Sequence, residues 1–79
     1  MKYHRDDKLL KELGQRIREV RLSKNMSQED VAYGCGLEYS QINRIELGKI
    51  NTSISQLYLI AKTLDVDAKD LLPHFVQKS

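Results

Sequence analysis

The stretch SQEDVAYGCGLEYSQINRIELG, residues 27–48, predicts two short helices that meet at a tight turn. In the second of them, from Tyr39 to Leu47, a rotation of about 100° per residue places Ile42 and Ile45 on one side. We expect these two isoleucines to face a core. The opposite side of the helix carries side chains that form hydrogen bonds, namely Ser40, Asn43 and Arg44, with Tyr39 at the margin.

This opposite side has the chemistry needed to contact the edges of bases. An asparagine can bond adenine through two hydrogen bonds, and an arginine can bond guanine in the same way. A short helix held by two apolar side chains and polar on its outer face is typical of the recognition helix in a helix-turn-helix motif. The sequence therefore predicts a motif over residues 28–47, with base contacts from Tyr39, Ser40, Asn43 and Arg44.

The length and composition restrict the class of protein. Seventy-nine residues predict one domain over 1–79. No apolar run approaches a membrane span and the start, MKYHRDDK, lacks the core of a signal peptide, so we expect a cytoplasmic protein without a membrane partner. A lone Cys35 excludes an intramolecular disulfide, and His4 and His74 lie too far apart in the chain to suggest a metal site. We expect no cofactor and no small-molecule ligand.

Charge is distributed unevenly along the chain. Lys and Arg outnumber Asp and Glu by eight to four in residues 1–24, are outnumbered one to four in residues 25–48, and lead four to three in residues 49–79. Affinity for a nucleic acid would therefore depend on the flanks of the motif and on backbone amides. The acidic balance within the motif slightly favours an alternative, in which the same scaffold binds another protein.

Apolar periodicity and capping signals predict five helices. Apolar residues at steps of three and four, Leu10, Leu13, Ile17 and Val20, predict a first helix over about 6–24. Gly14 within this helix predicts the close approach of a neighbouring helix. The boxes Ser27–Asp30 and Ser53–Gln56 predict the starts of the second and fourth helices. A short fifth helix, capped by Asp67, is expected from Ala68 to about Leu72, before Pro73. No segment alternates as a strand does, so the predicted class is all-α. We expect the ends, residues 1–5 and 74–79, to be frayed.

The combined pattern resembles the phage repressor/Cro and Xre-like helix-turn-helix DNA-binding domains over about residues 13–72. The residues that carry the resemblance are Gly14, Ile17, Arg18, Arg21, Ser27-Gln28-Glu29-Asp30-Val31-Ala32, Gly36-Leu37, Ile42, Ile45-Glu46, Gly48-Lys49, Ser53-Ile54, Leu57, Ile60-Ala61, Leu64 and Val66. The resemblance implies a compact five-helix lambda-repressor-like domain.

The resemblance also implies roles for particular residues. Gln28 matches a glutamine that holds a DNA phosphate and braces the recognition helix. Arg21 and Glu46 match a charge pair that ties the first helix to the recognition helix. The remaining residues expected at the DNA backbone are Gln41, Lys49, Asn51 and Ser53. Two departures are Glu38, where a short capping residue is usual, and the absence of a proline before the fourth helix.

These expectations lead to a sequence-specific double-stranded DNA-binding regulator of transcription, acting as a homodimer on a palindromic operator. Leu71, Leu72 and Phe75 of the C-terminal helix, with Leu9 and Tyr3, are the expected dimer patch; the alternative is that the same side chains close the core of a monomer. The alternative is an antitoxin-like or antirepressor-like protein-interaction module. An enzyme is not expected, because the sequence offers no nucleophile–base pair and no phosphate-binding glycine loop. Restriction–modification controllers and phage-type repressors both remain open.

Overall fold

Four α-helices and one 3-10 helix follow one another along residues 6–73, the part of the chain that the computed structural model describes. They are α1 (Asp7–Ser23), α2 (Gln28–Cys35), α3 (Tyr39–Glu46), α4 (Ile54–Leu64) and the 3-10 helix Ala68–Leu71. No strand occurs in this range, which confirms the predicted all-α class. The ends that were expected to be frayed, residues 1–5 and 74–79, lie outside the described residues.

The predicted fifth helix is a 3-10 helix rather than an α-helix, and it ends one residue early. Only four residues, Ala68–Leu71, take part. Leu72 has extended backbone angles, φ −76° and ψ 143°. This is the conformation favoured before a proline, because the ring of Pro73 crowds the preceding residue out of the helical region. Asp67, which was expected to cap the helix, forms no side-chain cap hydrogen bond there.

The start of α2 and the turn after it follow from local sequence. The Ser27 hydroxyl accepts from the Asp30 amide at 2.9 Å, and the Asp30 carboxylate accepts from the Ser27 amide at the same distance. This reciprocal pair satisfies amides that a helix start leaves without partners. At the other end, Gly36 adopts φ +70°, a left-handed conformation that glycine takes without steric cost. The chain can therefore turn sharply from α2 into α3.

The core lies where the helices meet, and each α-helix contributes one apolar side to it. Its buried members are Leu13, Ile17, Val20, Val31, Ala32, Cys35, Ile42, Ile45, Leu57, Ile60, Ala61, Leu64 and Leu71. Ile17, Ile60 and Leu71 have no exposed surface at all. None of the helices within residues 6–73 combines the length and the apolar character needed to cross a membrane.

The predicted dimer patch is wrong at one of its residues. Leu71 is fully buried in the core, because the 3-10 helix packs against both α1 and α4. A side chain that fills the monomer core is not available to a second subunit. Leu72 is about half exposed and Leu9 is partly buried. Tyr3 and Phe75 lie outside the described residues.

Candidate nucleic-acid interface

The two sides of α3 differ in exposure as its sequence predicts. Ile42 and Ile45 are 1% and 2% exposed, so these two side chains hold the helix against the core. On the other side Tyr39, Ser40 and Arg44 are exposed, and Asn43 is partly buried. The four residues predicted to contact bases therefore share one accessible side of α3. This side carries hydroxyl, amide and guanidinium groups, which can both donate to and accept from base edges.

The C-terminal end of α3 is held by a buried ion pair. Arg21 of α1 donates to Glu46 through Nε at 2.6 Å and through Nη2 at 3.0 Å, so the carboxylate accepts two parallel hydrogen bonds. The remaining Nη1 of Arg21 donates to the Met26 carbonyl at 2.9 Å. The hydrogen bond to Glu46 raises the pKa of Arg21 above its ordinary value. This paired geometry gives orientation as well as energy, because the planar fork of arginine matches a carboxylate at one angle.

Gln28, the first residue of α2, completes this arrangement. Its Nε2 donates to Glu46 Oε1 at 2.9 Å, so one carboxylate joins α1, α2 and α3. An amide nitrogen carries two N–H donors, and one of them is used here. The geometry allows Gln28 to bind Glu46 and to present a second donor at the start of α2, where helix amides favour an anion.

A glycine on α1 lets the end of α3 come close. A Cβ atom at Gly14 would lie 2.4 Å from the carbonyl oxygens of both Ile45 and Glu46. No larger side chain fits there unless α1 and α3 separate. The sequence predicted a close helix approach at Gly14, and the structure confirms it. The approach and the ion pair act on the same end of α3 and fix it against α1.

Apart from Gln28, the residues predicted to contact the DNA backbone lie in the first turn of α3, in the loop that follows it and at the N-cap of α4. Gln41 is in its first turn, where its Oε1 accepts from the Glu38 amide at 3.1 Å. This bond supplies part of a cap where Glu38 stands in place of a shorter capping residue. Lys49 and Asn51 are exposed in the loop after α3. Ser53 is the N-cap of α4, and its hydroxyl accepts from the Gln56 amide at 3.1 Å. That cap confirms the predicted start of the fourth helix.

Two features of this surface were not predicted from the sequence. Leu47 follows α3 directly and is 50% exposed. The signal was available, because continuing the same rotation by one residue places Leu47 on the polar side of the helix. The second feature is an exposed apolar strip on α4, formed by Ile54, Tyr58 and Leu59. Its signal was ambiguous, since these apolar residues lie beside the polar Ser55 and Lys62 and form no separate stripe.

Cys35 is buried in the core, with its Sγ 3.4 Å from the Thr63 hydroxyl. Within residues 6–73, no set of three or more His, Cys, Asp or Glu side chains is arranged to hold a metal ion.

A short helix bearing polar groups outward, packed behind by a second helix across a glycine turn, defines a helix-turn-helix protein. Comparison with known families agrees: the helix-turn-helix family model HTH_3 matches residues 17–71. The chain belongs to this family, which confirms the resemblance found in the sequence.

Individual relatives are similar over most of the chain. The control protein C.BamHI of Bacillus amyloliquefaciens is 48% identical over 60 residues, which are 75% of this chain and 74% of that protein. The crystal structure of the restriction–modification controller protein C.AhdI from Aeromonas hydrophila superposes with a TM-score of 0.78 at 36% identity, over 80% of this chain and 96% of the other. A hypothetical transcription factor, NHTF from Neisseria, has the same TM-score at 30% identity, over 91% and 84% of the two chains.

Proposed function

We propose that this protein is a sequence-specific double-stranded DNA-binding regulator of transcription, which acts as a homodimer on a palindromic operator with α3 in the major groove. The observation that carries the proposal is the division of α3 into a buried apolar side and an exposed polar side. An α-helix fits the width of the major groove, where each base pair presents its own pattern of donors and acceptors.

Base recognition is assigned to Tyr39, Ser40, Asn43 and Arg44. Arg44 is exposed and long enough to reach the O6 and N7 acceptors of a guanine. Asn43 is partly buried, so less of its side chain projects, and its amide suits the N6 and N7 atoms of an adenine. Ser40 and Tyr39 add hydroxyl groups near the start of the helix. Each good bidentate contact contributes roughly 1–3 kcal/mol of discrimination between bases.

Phosphate contacts are assigned to residues on both flanks of α3, namely Gln28, Gln41, Lys49, Asn51 and Ser53. Gln28 can bind a phosphate with its second N–H while the first remains on Glu46. Gln41 can bind a phosphate through its amide nitrogen, because the helix cap uses only its amide oxygen. At the start of α4 the contact is made by backbone amides near Ser53, which a helix start presents to anions. Such contacts fix the register on the duplex without reading sequence.

The strip of Ile54, Tyr58 and Leu59 on α4 is the surface we assign to the dimer. These side chains are 71%, 63% and 43% exposed. Lys62 is the one charged residue in α4 and lines the same surface, so two such helices related by a two-fold axis would each bring one ammonium group to a contact that is otherwise uncharged. We assign the dimer contact to this strip instead of the predicted patch around Leu71, because Leu71 is buried in the core. It lies on a different helix from the reading side, so dimerisation would leave α3 accessible.

Similarity to a control protein and to a restriction–modification controller protein bears on the biological role. The sequence alone left open a restriction–modification controller and a phage-type repressor. The 48% identity to the control protein C.BamHI and the superposition on C.AhdI both favour the controller. We therefore assign the protein to the regulation of restriction–modification genes.

Selection of binding sites from random duplexes tests this proposal most directly. The expected product is a pair of inverted half-sites, since one α3 reads only a few base pairs. Binding to the selected duplex should weaken log-linearly as salt rises, because phosphate contacts release counterions. Failure to enrich any duplex would contradict DNA binding and favour the protein-interaction alternative. A single half-site without its inverted copy would contradict the homodimer.

Replacing Arg44 with alanine tests the reading side itself. Arg44→Ala should weaken binding to the selected duplex by about 1–3 kcal/mol and relax preference at one base position per half-site. Arg18→Ala, which removes an exposed arginine of α1, is the matched control and should leave base preference unchanged. Gln28→Ala should weaken binding to all duplexes by a similar factor. Unchanged affinity and preference in Arg44→Ala would show that this side does not read bases.

A further inference from the structure

Leu47 is an apolar residue on the otherwise polar reading side of α3. With Tyr39 set at zero, rotation by about 100° per residue places Leu47 at about 80°. Asn43 falls at about 40° and Ser40 at about 100°, so Leu47 projects in a direction between theirs, about 6 Å further along the helix axis than Asn43. The side chain is 50% exposed and is therefore accessible from the same side as the residues assigned to base contacts.

The backbone keeps Leu47 in line with the helix. Although it is the C-cap, its φ of −82° and ψ of −6° remain in the right-handed helical region. Its amide donates to the Asn43 carbonyl at 3.0 Å, as in a continuing helical turn. The chain leaves the helical path only at Gly48, where φ is +74°. A Cβ at Gly48 would lie 2.8 Å from the Lys11 Cα, so α1 supports the chain at this point.

The neighbouring residue fixes the place of Leu47 in space. Glu46 is held by Arg21 and by Gln28, and its carbonyl oxygen lies against Gly14. Leu47 therefore projects from the most firmly held part of α3. A single exposed leucine is ordinary on a protein surface. A leucine held rigidly on the reading side, one turn beyond Asn43, is in a position to contact a specific group of the ligand.

The major groove offers one apolar group that matches such a side chain, the 5-methyl group of thymine. We propose that Leu47 contacts this methyl group and makes the protein prefer thymine to cytosine at one position of each half-site. This inference rests on the proposed placement of α3 in the major groove. It adds a specificity-determining contact of a kind that the polar residues of α3 do not supply.

Deoxyuridine substitution tests the contact at the level of one methyl group. Each thymine of the selected operator is replaced in turn by deoxyuridine, which removes the methyl and keeps every hydrogen-bonding group. At one position, the substitution should weaken wild-type binding by about four-fold per half-site, and by about fifteen-fold when both half-sites carry it. Affinities are measured by fluorescence anisotropy at constant salt.

The Leu47→Ala variant links that position to the leucine. It should bind the thymine duplex more weakly than wild type, and the deoxyuridine substitution should then cause no further loss at that position. Leu47→Met, which keeps the volume and apolar character, should retain the thymine preference. Leu22→Ala is the matched control, because Leu22 is 52% exposed on α1, and it should leave the thymine preference intact. Thermal melting of all variants checks that they fold.

The possible outcomes separate this inference from the proposed function. If the wild type binds its operator but loses nothing with deoxyuridine at any position, Leu47 reads no methyl group and DNA binding stands. If Leu47→Ala loses the same factor on every duplex and remains sensitive to deoxyuridine, the leucine contacts the sugar–phosphate backbone and the inference is overturned. If no duplex is selected at all, both proposals are overturned.

Discussion

The two helices of the motif have the same length, eight residues, but they are fixed at opposite ends. At its start α2 is secured by the reciprocal bonds between Ser27 and Asp30. In α3 it is the C-terminal end that is secured, where Glu46 binds Arg21 and Gln28 and the carbonyl oxygens of its last turn lie against Gly14. The start of α3 is more open, with an exposed Glu38 and Tyr39.

This difference suits the roles proposed for the two helices. Because the bonds that orient α3 are all made at its end, its first turn can project from the protein without losing its direction. The side chains there are available to bases, while Arg21 and Gly14 of α1, to which no ligand contact is assigned, hold the other end. Gln28 is the one group that both bonds Glu46 and is assigned to a phosphate. In α2, whose start carries Gln28, the ordered first turn instead presents amides toward a phosphate.

Removal of the Glu46 carboxylate, which holds the C-terminal end of α3, should cause the largest loss in the free energy of unfolding. Arg21 and Glu46 have side chains only 9% and 3% exposed, so Glu46→Ala leaves a buried guanidinium without its partner. We expect a loss of about 3–5 kcal/mol in the free energy of unfolding, measured by urea denaturation. Such a loss is a large part of the stability of a domain of this size.

The control for this variant is Glu19→Ala. Glu19 pairs with Arg16 at 3.7 Å on the surface, with side chains 55% and 47% exposed, and an exposed pair contributes less than about 1 kcal/mol. Equal losses in the two variants would mean that the end of α3 is not held as the structure indicates.

The sequence predicted the two ends of these helices with different success, for a physical reason. The start of α2 depends on residues three apart, so its capping box could be found from spacing alone. Arg21 and Glu46 are 25 residues apart, and only the family resemblance suggested that they pair. No local rule gives the distance between side chains on separate helices.

The exposed strip on α4 and the burial of Leu71 were not predicted, for a similar physical reason. Within α4, Leu57, Ile60, Ala61 and Leu64 face the core, whereas Ile54, Tyr58 and Leu59 are exposed beside the polar Ser55 and Lys62. Periodicity identifies the core-facing stripe, but it does not show that apolar residues outside the stripe form an exposed strip. The sequence did not decide whether Leu71 closes the core or joins a dimer, because a four-residue 3-10 helix is too short to show a period.

A smaller effect should distinguish the starts of α2 and α3. Ser27→Ala removes the hydroxyl that accepts from the Asp30 amide, and the expected loss is about 1 kcal/mol in the free energy of unfolding. Glu38→Ala, at the same position of α3, should cost less, because glutamate is not among the residues favoured as an N-cap and Gln41 already bonds the Glu38 amide. A larger loss from Glu38→Ala than from Ser27→Ala would show that the start of α3 is held more strongly than the start of α2.

The smallest expected effect is a dependence of α2 on pH. The hydrogen bond from the Ser27 amide, with a second contribution from the Ser27 side chain, lowers the pKa of Asp30 in the folded protein. The unfolded value for an aspartate is about 3.9, so ionised Asp30 favours the folded state above that pH, and this contribution disappears as pH falls through the lower folded pKa. The difference in melting temperature between wild type and Asp30→Asn should therefore be present at pH 7 and shrink in acid.

Glu29→Gln, a neighbouring change outside the capping box, is the control. A difference between wild type and Asp30→Asn that stays constant from pH 7 to below pH 3 would show that the charge of Asp30 does not hold the start of α2. The shape of its side chain alone would then be responsible.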